Sequence, residues 1–261
     1  MSALPPPERR VVLITGVGRR AGIGFALARR ALADGASVML HSFAPCDSER
    51  PWGADPGGVA AVIDELGGAS DRLRHVDADL GDPEAPRRAV EATVDAFGAI
   101  DALIVNHARD SGQTLETATA EELDLTWAVN ARAAVLLTQA FAAVHREDRQ
   151  NGRVILFTSG QHLGPMSDEL PYAISKGAVH QMTRSLAAAL ADRGITVNAI
   201  NPGPVDTGWP SPELRAGLER RFPAGRLGRP EDIAGVVAWL LSPDSAWVTG
   251  QVIDAEGGFR R

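Results

Sequence analysis

Short apolar runs alternate with longer stretches of helical periodicity along the whole chain. An apolar run of about four to eight residues, bounded by glycine, proline or polar residues, is typical of a strand buried on both faces. The pattern predicts strands separated by helices, near 11–15, 37–41, 73–77, 102–106, 153–158, 196–200 and 251–253. Because parallel strands need crossover helices, we predict an α/β fold with a doubly wound, mostly parallel sheet of about seven strands in one domain, 1–261.

Two segments depart from this alternation. Residues 43–58 are rich in proline, glycine and charge, and we expect a long solvated loop after the second strand. Residues 204–229 contain several prolines and one short helical piece. Long irregular segments in compact domains are often functional, so we expect this second segment to be a mobile lid over a substrate site.

The composition is that of an ordinary soluble domain, with 44% apolar and 23% charged residues. The net charge of −7 and the lack of a basic block argue against a nucleic-acid partner. The single Cys46 offers no internal disulfide and no cysteine pair for a metal, so we expect a reducing compartment and no metal site. The first ten residues carry no apolar stretch and no later run looks long enough to span a membrane, which favours the cytoplasm.

A glycine-rich loop follows the first predicted strand. Glycines stand at positions 16, 18, 22 and 24, directly before a helical stretch. Glycine lets the backbone approach a pyrophosphate, and the helix N-terminus favours its charge, so the loop predicts a dinucleotide site. The loop has no lysine, which excludes a nucleoside-triphosphate P-loop. An ordinary tight turn is the alternative.

Tyr172 is the only tyrosine of the chain and Lys176 is the only lysine among 26 Lys and Arg residues. Their spacing of four residues puts both side chains on one face of a helix, which Pro171 is suited to begin. Ser159 follows the predicted strand near 153–158, at the sheet edge where α/β proteins bind ligands. These three side chains are therefore a candidate catalytic group, and a solvated surface pair is the alternative for Tyr172 and Lys176.

Together these motifs resemble the short-chain dehydrogenase/reductase family, specifically the single-domain Rossmann-fold branch that includes the 3-oxoacyl-acyl-carrier-protein reductases. The resemblance covers nearly the whole chain. It rests on Thr15, Gly16, Gly22, Ile23, Gly24, Asp79, Leu80, Asn106, Ala108, Asn130, Ser159, Tyr172, Lys176 and the run from Asn201 to Thr207.

The resemblance implies a catalytic set of Asn130, Ser159, Tyr172 and Lys176. Tyr172 is the expected general acid and base, and we expect the nearby Lys176 cation to lower the pKa of the phenol toward neutral pH. By resemblance Lys176 also binds the nicotinamide ribose, Ser159 holds the carbonyl oxygen and Asn130 fixes a water. Without the resemblance, Asn130 would be taken for a buried polar helix residue.

The resemblance also implies the cofactor site. The glycine loop receives the phosphates, Asp79 and Leu80 hold the adenine, and Asn106 and Ala108 line the adenosine side. The nicotinamide side is implied for Pro202, Gly203, Val205 and Thr207. The sequence departs from the family pattern in three places: five residues separate Gly16 from Gly22 where the family has three, and His107 and Arg109 stand where Asn and Gly are common.

The choice of cofactor depends on the end of the second strand. A carboxylate there binds the ribose hydroxyls of NAD and repels a 2′-phosphate. The strand instead ends at Ser42 without an acid, and Arg19 or Arg20 could add positive charge, so we expect NADP(H) over NAD(H). If both arginines face solvent, the enzyme would not distinguish NADP(H) from NAD(H). We expect Gln161, His162 and Trp209 to border the substrate.

The sequence thus predicts an NADP(H)-dependent oxidoreductase that interconverts a ketone and a secondary alcohol. Alternatives are a non-catalytic dinucleotide sensor, a methyltransferase with a similar glycine turn, and an NAD-dependent alcohol dehydrogenase working oxidatively. Thioester, sugar, steroid and polyketide carbonyls all stay open as substrates. Apolar faces on helices near 119–144 and 171–191 predict a homodimer or homotetramer.

Overall fold

A computed structural model of the chain describes residues 9–48, 51–146 and 151–261, without the side chain of Cys46. The expectations for Cys46 and for most of the first ten residues therefore lie outside the described part of the chain. The described part of the chain includes every candidate site residue named above.

The predicted sheet is confirmed as seven parallel strands in the order β3-β2-β1-β4-β5-β6-β7. The strands are β1 Val11–Thr15, β2 Ser37–Ser42, β3 Leu73–Asp77, β4 Ala102–Val105, β5 Gly152–Phe157, β6 Ile195–Asn201 and β7 Val252–Asp254. β1 pairs with β2 on one side and with β4 on the other, so the strand order reverses direction there. A crevice opens at such a switch point, outside the carboxyl ends of the strands.

Helices cover both faces of the sheet. They are α1 Ile23–Ala33, α2 Ala44–Ser48, α3 Gly58–Glu65, α4 Ala85–Phe97, α5 Ala120–Trp127, α6 Ala133–Val144, α7 Leu170–Leu190, α8 Pro212–Glu219 and α9 Pro230–Leu241. One core cluster packs α1, α3 and α9 against the sheet, and a second packs α4, α6 and α7 against the other face. All of β1 is buried, as its uninterrupted apolar sequence requires when both faces are covered.

The stretch Ala120–Val144 is continuous, because a π-helical turn, Ala128–Arg132, joins α5 to α6. Contrary to the sequence expectation, these 25 residues are long and apolar enough to cross a bilayer by length and composition. Half of its most apolar 18-residue window is buried inside the molecule, and α6 packs on α4 while α5 packs on α7. It is a core helix of the domain, whose apolar character is used for packing.

The segment 43–58 is not the solvated excursion that its composition predicted. It contains α2, and Phe43, Asp47 and Trp52 lie in the wall of the cleft at the carboxyl ends of the strands. Asp55 anchors the segment by accepting hydrogen bonds from the backbone and the guanidinium of Arg20, at 2.8–3.2 Å. Charged residues in this segment are therefore used for contacts with the glycine loop.

The segment 204–229 is closed at its base. Val205 pairs with Gly228 in a single β-bridge, and Asp206 N donates to Gly228 O at 2.8 Å. Between these points the chain forms α8 and returns. Leu218, Phe222 and Leu227 pack into a small apolar cluster with Trp209 and Phe259, separate from the two main cores.

Candidate active site

A single cleft of about 880 Å³ runs along the carboxyl ends of the strands and contains most of the predicted site residues. Its wall brings the glycine loop, the ends of several strands, α7 and the 204–229 segment together. Of the predicted residues it includes Gly16, Arg19, Gly22, Ile23, Ser42, Asp79, Leu80, Asn106, Ala108, Ser159, Tyr172, Lys176, Pro202, Gly203, Val205, Thr207 and Trp209. The predicted residues outside the wall are Arg20, Gly24, Asn130, Gln161 and His162.

The glycine loop packs too closely against its neighbours for side chains. Gly16 has a φ of +74°, and a Cβ there would lie 2.7 Å from His107 Cα. A Cβ on Gly24, which lies behind the cleft wall, would collide with the carbonyl oxygen of Gly16. Asn106 holds the same turn by donating from Nδ2 to the carbonyl oxygens of Thr15 and Gly16, at 3.1 and 3.0 Å.

The loop fits the phosphates of a dinucleotide. Helix α1 begins after Gly22, and no side chain caps its N-terminus. Its first backbone N–H groups therefore keep donors for a ligand, and the helix dipole favours a negative charge there. A bare backbone beside an uncapped helix N-terminus is the donor set that a pyrophosphate needs.

His107 is a buried link between the glycine loop and the helix that carries Asn130. Its Nε2 lies 2.8 Å from Val129 O, which can only accept, so Nε2 carries the proton. Its Nδ1 then accepts from Thr15 Oγ1 at 2.8 Å. Burial lowers the pKa of His107 to about 3, which keeps the ring neutral and this pair of hydrogen bonds intact across the physiological range.

Asn130 lies in the π-helical turn and is only 2% exposed. Its Oδ1 accepts from Arg109 N at 2.7 Å, and its Nδ2 donates to Arg109 O and to Ser175 Oγ at 2.8 and 2.9 Å. The side chain therefore ties the segment after β4 to α7. The long side chain of Arg109 does not disturb the segment after β4, because its guanidinium turns to Glu122, with Nη2 2.9 Å from Oε2.

Tyr172 lies in the first turn of α7 and forms a hydrogen bond with Ser159. The expected lowering of the Tyr172 pKa is wrong for the cofactor-free protein. The pKa of Tyr172 is raised to about 12, mainly by loss of hydration and also by the negative charges of Glu169 and Asp110, and the hydrogen bond with Ser159 only partly opposes this rise. The free protein thus holds Tyr172 as a neutral phenol, the form that can donate a proton.

Lys176 is 3% exposed and lies one helical turn after Tyr172. Its Nζ donates to Phe157 O at 2.8 Å and lies 5.7 Å from the centre of the Tyr172 ring. Burial lowers the pKa of Lys176 to about 8, and no acidic side chain offsets the loss of hydration among the causes of this shift. The ammonium is therefore aimed at the strand end rather than bonded to the tyrosine.

Two acidic side chains, those of Glu169 and Asp110, line the cleft wall on the same side as Tyr172. Burial raises the pKa of Glu169, and the charges of Asp110 and Asp168 raise it further. This side of the cleft therefore disfavours additional negative charge.

At the glycine-loop end, a carboxylate lies where the strand-end pattern predicted none. Asp47 of α2 packs its side chain directly against Gly18, so that a Cβ on Gly18 would collide with Oδ2. Ser42 is buried, and its Oγ lies 2.8 Å from His75 Nε2. The acid was missed because it stands five residues beyond the strand, and α2 brings it back to the loop.

The two arginines of the loop have different environments. Arg19 lines the cleft and donates to Thr207 O at 3.0 Å, so it bridges the glycine loop and the 204–229 segment. Arg20 lies outside the wall and pairs with Asp55 and Glu65 at 2.8 and 3.2 Å. Of the two, only Arg19 is placed to meet a ligand in the cleft.

Of the three predicted substrate neighbours, only Trp209 lies in the cleft wall. Gln161 turns to the base of α7, where Nε2 donates to Thr158 Oγ1 and Lys176 O at 3.2 and 3.3 Å. His162 contacts Asp254 at 3.1 Å and packs on the His180 ring with centres 4.6 Å apart. Their position after Ser159 suggested the cleft, but the short 3₁₀ turn Gly160–His162 directs both side chains elsewhere.

Comparisons with known proteins agree with this geometry. Residues 16–260 match a family model described as enoyl-(acyl carrier protein) reductase. An uncharacterized oxidoreductase, YjdA, of Bacillus subtilis (strain 168) is 37% identical over 97% of this chain and 98% of its own. The BbsD subunit of (2S)-[(R)-hydroxy(phenyl)methyl]succinyl-CoA dehydrogenase of Thauera aromatica is 35% identical over 96% of each chain.

Solved structures of similar proteins share the fold of this chain. A blue fluorescent protein from a metagenomic library, in complex with NADPH, superposes with a TM-score of 0.82 and is 33% identical, covering 97% of this chain and 98% of its own. A mutant of a short-chain dehydrogenase/reductase of Serratia marcescens has a TM-score of 0.82 and 31% identity, covering 98% of this chain and all of its own.

Proposed function

Because this chain belongs to the short-chain dehydrogenase/reductase family and is an oxidoreductase of that type, we propose that it interconverts a ketone and a secondary alcohol with NADP(H). The proposal is carried by one observation: Ser159, Tyr172 and Lys176 meet in the wall of the cleft that also contains the glycine loop. A non-catalytic dinucleotide sensor would need only the glycine-loop end of this cleft.

In the reductive direction, Ser159, Tyr172 and Lys176 have separate roles. The nicotinamide supplies the hydride chemistry when it is bound. Ser159 Oγ donates a hydrogen bond to the carbonyl oxygen, and Tyr172 gives its phenolic proton to the same oxygen, which becomes the alcohol. Lys176 then stabilises the phenolate by its positive charge. Proton donation by a positioned phenol is general acid catalysis, and the reverse reaction uses the same groups in opposite roles.

Asn130 has a positioning role in this scheme. It is occupied by Arg109 and Ser175 and lies outside the cleft wall. We propose that it holds α7, and with it Tyr172 and Lys176, at the right distance from the end of β4. The water that the family resemblance assigns to Asn130 is compatible with this role.

Residues at the adenosine end of the cleft and one solved relative support the preference for NADP(H). Strand β2 ends in Ser42 without an acid, and Arg19 lines the cleft nearby. One relative of known structure was solved with NADPH. Asp47 opposes the preference, since a carboxylate beside Gly18 repels a 2′-phosphate. We propose that Arg19 outweighs Asp47, with Gly16, Gly22 and Ile23 at the phosphates.

Matched variants test the cofactor proposal through dissociation constants for NADPH and NADH. Arg19→Ala should weaken NADPH more than NADH, whereas Arg20→Ala, which removes an equal charge outside the cleft wall, should not discriminate. Asp47→Asn should strengthen NADPH severalfold and leave NADH unchanged or weaker. Equal dissociation constants for both cofactors in the native protein would reject the NADP(H) preference.

Activity is tested with a panel of ketones and diketones and with NADPH, by following its absorbance. We expect turnover by the native protein and none above background by Tyr172→Phe, which retains the ring but lacks the proton. A native protein that binds NADPH but reduces no member of the panel would favour the sensor. Oxidation of secondary alcohols with NAD but not NADP would favour the oxidative alcohol dehydrogenase.

Further features complete the proposal. The 204–229 segment acts as a substrate lid, because Pro204, Val205, Thr207 and Trp209 line the cleft. The protein assembles as a homodimer or homotetramer. Its substrate is a small molecule, and it works in the cytoplasm.

A further inference from the structure

The end of the cleft beyond Ser159 carries two arginines on one aromatic ring. The guanidinium of Arg221 lies 4.6 Å from the centre of the Phe259 ring, and that of Arg261 lies 5.5 Å from it. All three residues line the same cleft as Ser159 and Tyr172. We refer to Arg221, Phe259 and Arg261 as the arginine cluster.

The charge of Arg261 is already balanced. Its two terminal nitrogens donate to the two carboxylate oxygens of Glu256, each at 2.6 Å, and Glu256 is only 7% exposed. The stem of Arg261 lies on the loop after Ser159, where a Cβ on Gly164 would come within 2.9 Å of Arg261 Cδ. Arg261 is therefore a fixed wall of the cleft and contributes little net charge.

Arg221 differs because no carboxylate of the described residues lies within ion-pair distance of it. Its Nε donates to Arg260 O at 2.6 Å, and its own carbonyl accepts from Arg260 N at 2.9 Å. With the Phe259 ring below it, the guanidinium is held in place while its terminal nitrogens keep their donors. A fixed planar guanidinium of this kind suits a carboxylate or a phosphoryl group.

The remaining charges of the cleft give a bound anion one preferred orientation. Glu169 and Asp110 stand beside Tyr172 and repel negative charge. Among the other cations of the wall, Lys176 donates to Phe157 O and Arg109 is paired with Glu122. Arg19 lies at the glycine loop, where burial lowers its pKa and the negative charges of Asp47 and Asp55 partly oppose that shift. An anionic group on a substrate is thus repelled at the acidic side and attracted to Arg221.

We propose that Arg221 binds an anionic group of the substrate, a carboxylate or a phosphoryl group, and makes the enzyme selective for carbonyl compounds that carry one. This proposal rests on the proposed oxidoreductase function. It adds the substrate class, and it places the anionic group at the arginine cluster, away from Glu169 and Asp110.

Matched substrate pairs test it. The oxo acids 3-oxobutanoate, 4-oxopentanoate and 5-oxohexanoate are compared with their methyl esters, and acetoacetyl-coenzyme A is compared with the acetoacetyl thioester of N-acetylcysteamine, which lacks phosphoryl groups. The native enzyme should prefer the anionic member of at least one pair, and that pair identifies carboxylate or phosphoryl recognition. Arg221→Gln should reduce this preference in kcat/KM about tenfold or more, and Arg221→Lys should keep part of it.

The adjacent Arg220 provides the control, since it is exposed like Arg221 and carries the same charge but lies outside the cleft wall. Arg220→Gln should leave the preference unchanged. Equal loss for anionic and neutral members in Arg221→Gln, or equal loss in Arg220→Gln, would overturn the proposal while leaving the oxidoreductase function intact.

A second measurement does not depend on turnover. The same anionic and neutral compounds are tested for their effect on the melting temperature of the native protein and of Arg221→Gln. Stabilisation by the anionic members that disappears in Arg221→Gln, but not in Arg220→Gln, supports the proposal. Identical melting shifts in the native protein and in Arg221→Gln would overturn it, even if the ketone panel had shown no activity.

Discussion

At the scale of single residues, the one lysine of the chain sits in a site that suits a compact ammonium. Lys176 Nζ reaches Phe157 O at 2.8 Å in a position that is 3% exposed, under the Tyr172 ring. A guanidinium is larger and planar, and it needs several partners in one plane. Every other Lys or Arg position of the chain is an arginine. Replacing Lys176 with Arg therefore changes the shape of the cation while keeping its charge.

Lys176→Arg should give a folded protein whose kcat is reduced about 100-fold or more, because a misplaced cation and phenol lose the geometry that catalysis needs. The measurement is kcat with the best ketone of the panel, with circular dichroism to verify folding. Tyr172→Phe, which lacks the proton, should show no turnover above background in the same assay. Near-native turnover in Lys176→Arg would mean that only the charge matters and would remove the main support for the proposed mechanism.

At the scale of elements, the π-helical turn Ala128–Arg132 decides where Asn130 points. A π-helical turn is a local bulge in an α-helix and is frequent at functional sites. Here its position is supported from outside the helix, because His107 donates to Val129 O and accepts from Thr15 at the end of β1. His107, a residue that departs from the family pattern, is thus a structural link between the glycine loop and the helical turn that carries Asn130.

His107→Leu should lower the stability by roughly 1–3 kcal/mol, since it leaves the buried Val129 O and Thr15 Oγ1 without this partner. It should also lower kcat, because the turn that holds Asn130 loses its support. Thermal unfolding and kcat measure the two effects. His107→Asn, which restores the residue common in the family, is the control and should retain more of both. A Leu variant as stable and active as the native protein would contradict this role.

The segment 43–58 shows why an element can be misjudged from composition. Its prolines, glycines and charges are those of a solvated loop. Asp55 nevertheless anchors it to Arg20, and Asp47 and Trp52 face the cleft. From sequence alone, a charged residue is expected to face solvent unless its partner is known. The partner of Asp55 is Arg20, which lies 35 residues away in the chain.

At the scale of the whole molecule, Lys176 and Tyr172 act on stability in opposite directions as the pH rises. The pKa of Lys176 falls from 10.5 to about 8 in the folded protein, so above pH 8 the unfolded chain binds the extra proton and stability increases with pH. The pKa of Tyr172 rises from 10.0 to about 12, so above pH 10 the unfolded chain loses its proton first and stability decreases.

We expect the free energy of unfolding of the cofactor-free protein to rise by about 2 kcal/mol between pH 8 and 10 from Lys176 alone. Urea unfolding at several pH values measures it, as the difference from Lys176→Met, which keeps the length of the side chain without the charge. If the native protein and Lys176→Met follow parallel curves over this range, the ammonium is not desolvated as described.

Assembly is a second property of the whole molecule. Trp127, Val135 and Ile174 are 40–49% exposed on the helices that were predicted to pack between subunits. Light scattering at micromolar concentration should give the mass of a dimer or tetramer, and Trp127→Glu combined with Ile174→Glu should shift it toward the monomer. Leu214→Glu on α8, at a similarly exposed position, should not. A monomeric native protein would reject the prediction.

The sheet, its crossover helices and the meeting of Ser159, Tyr172 and Lys176 could be predicted from the amino-acid pattern. These follow from local rules, because strands buried on both faces are written as continuous apolar runs and a spacing of four residues defines one helix face. Glycines at 16 and 24 were also readable, since close backbone contact excludes every other residue.

The pattern did not predict which of these residues face the cleft or how their pKa values shift, because both depend on the folded chain. Arg20 turns to Asp55 while Arg19 enters the cleft, and the side chains of Gln161 and His162 turn away from it. Asp47, Arg221 and Arg261 reach the cleft from distant segments that carry no motif. The pKa of Tyr172 depends on burial and on Glu169 and Asp110. Contacts between distant segments and the loss of hydration exist only after folding, so no local pattern encodes them.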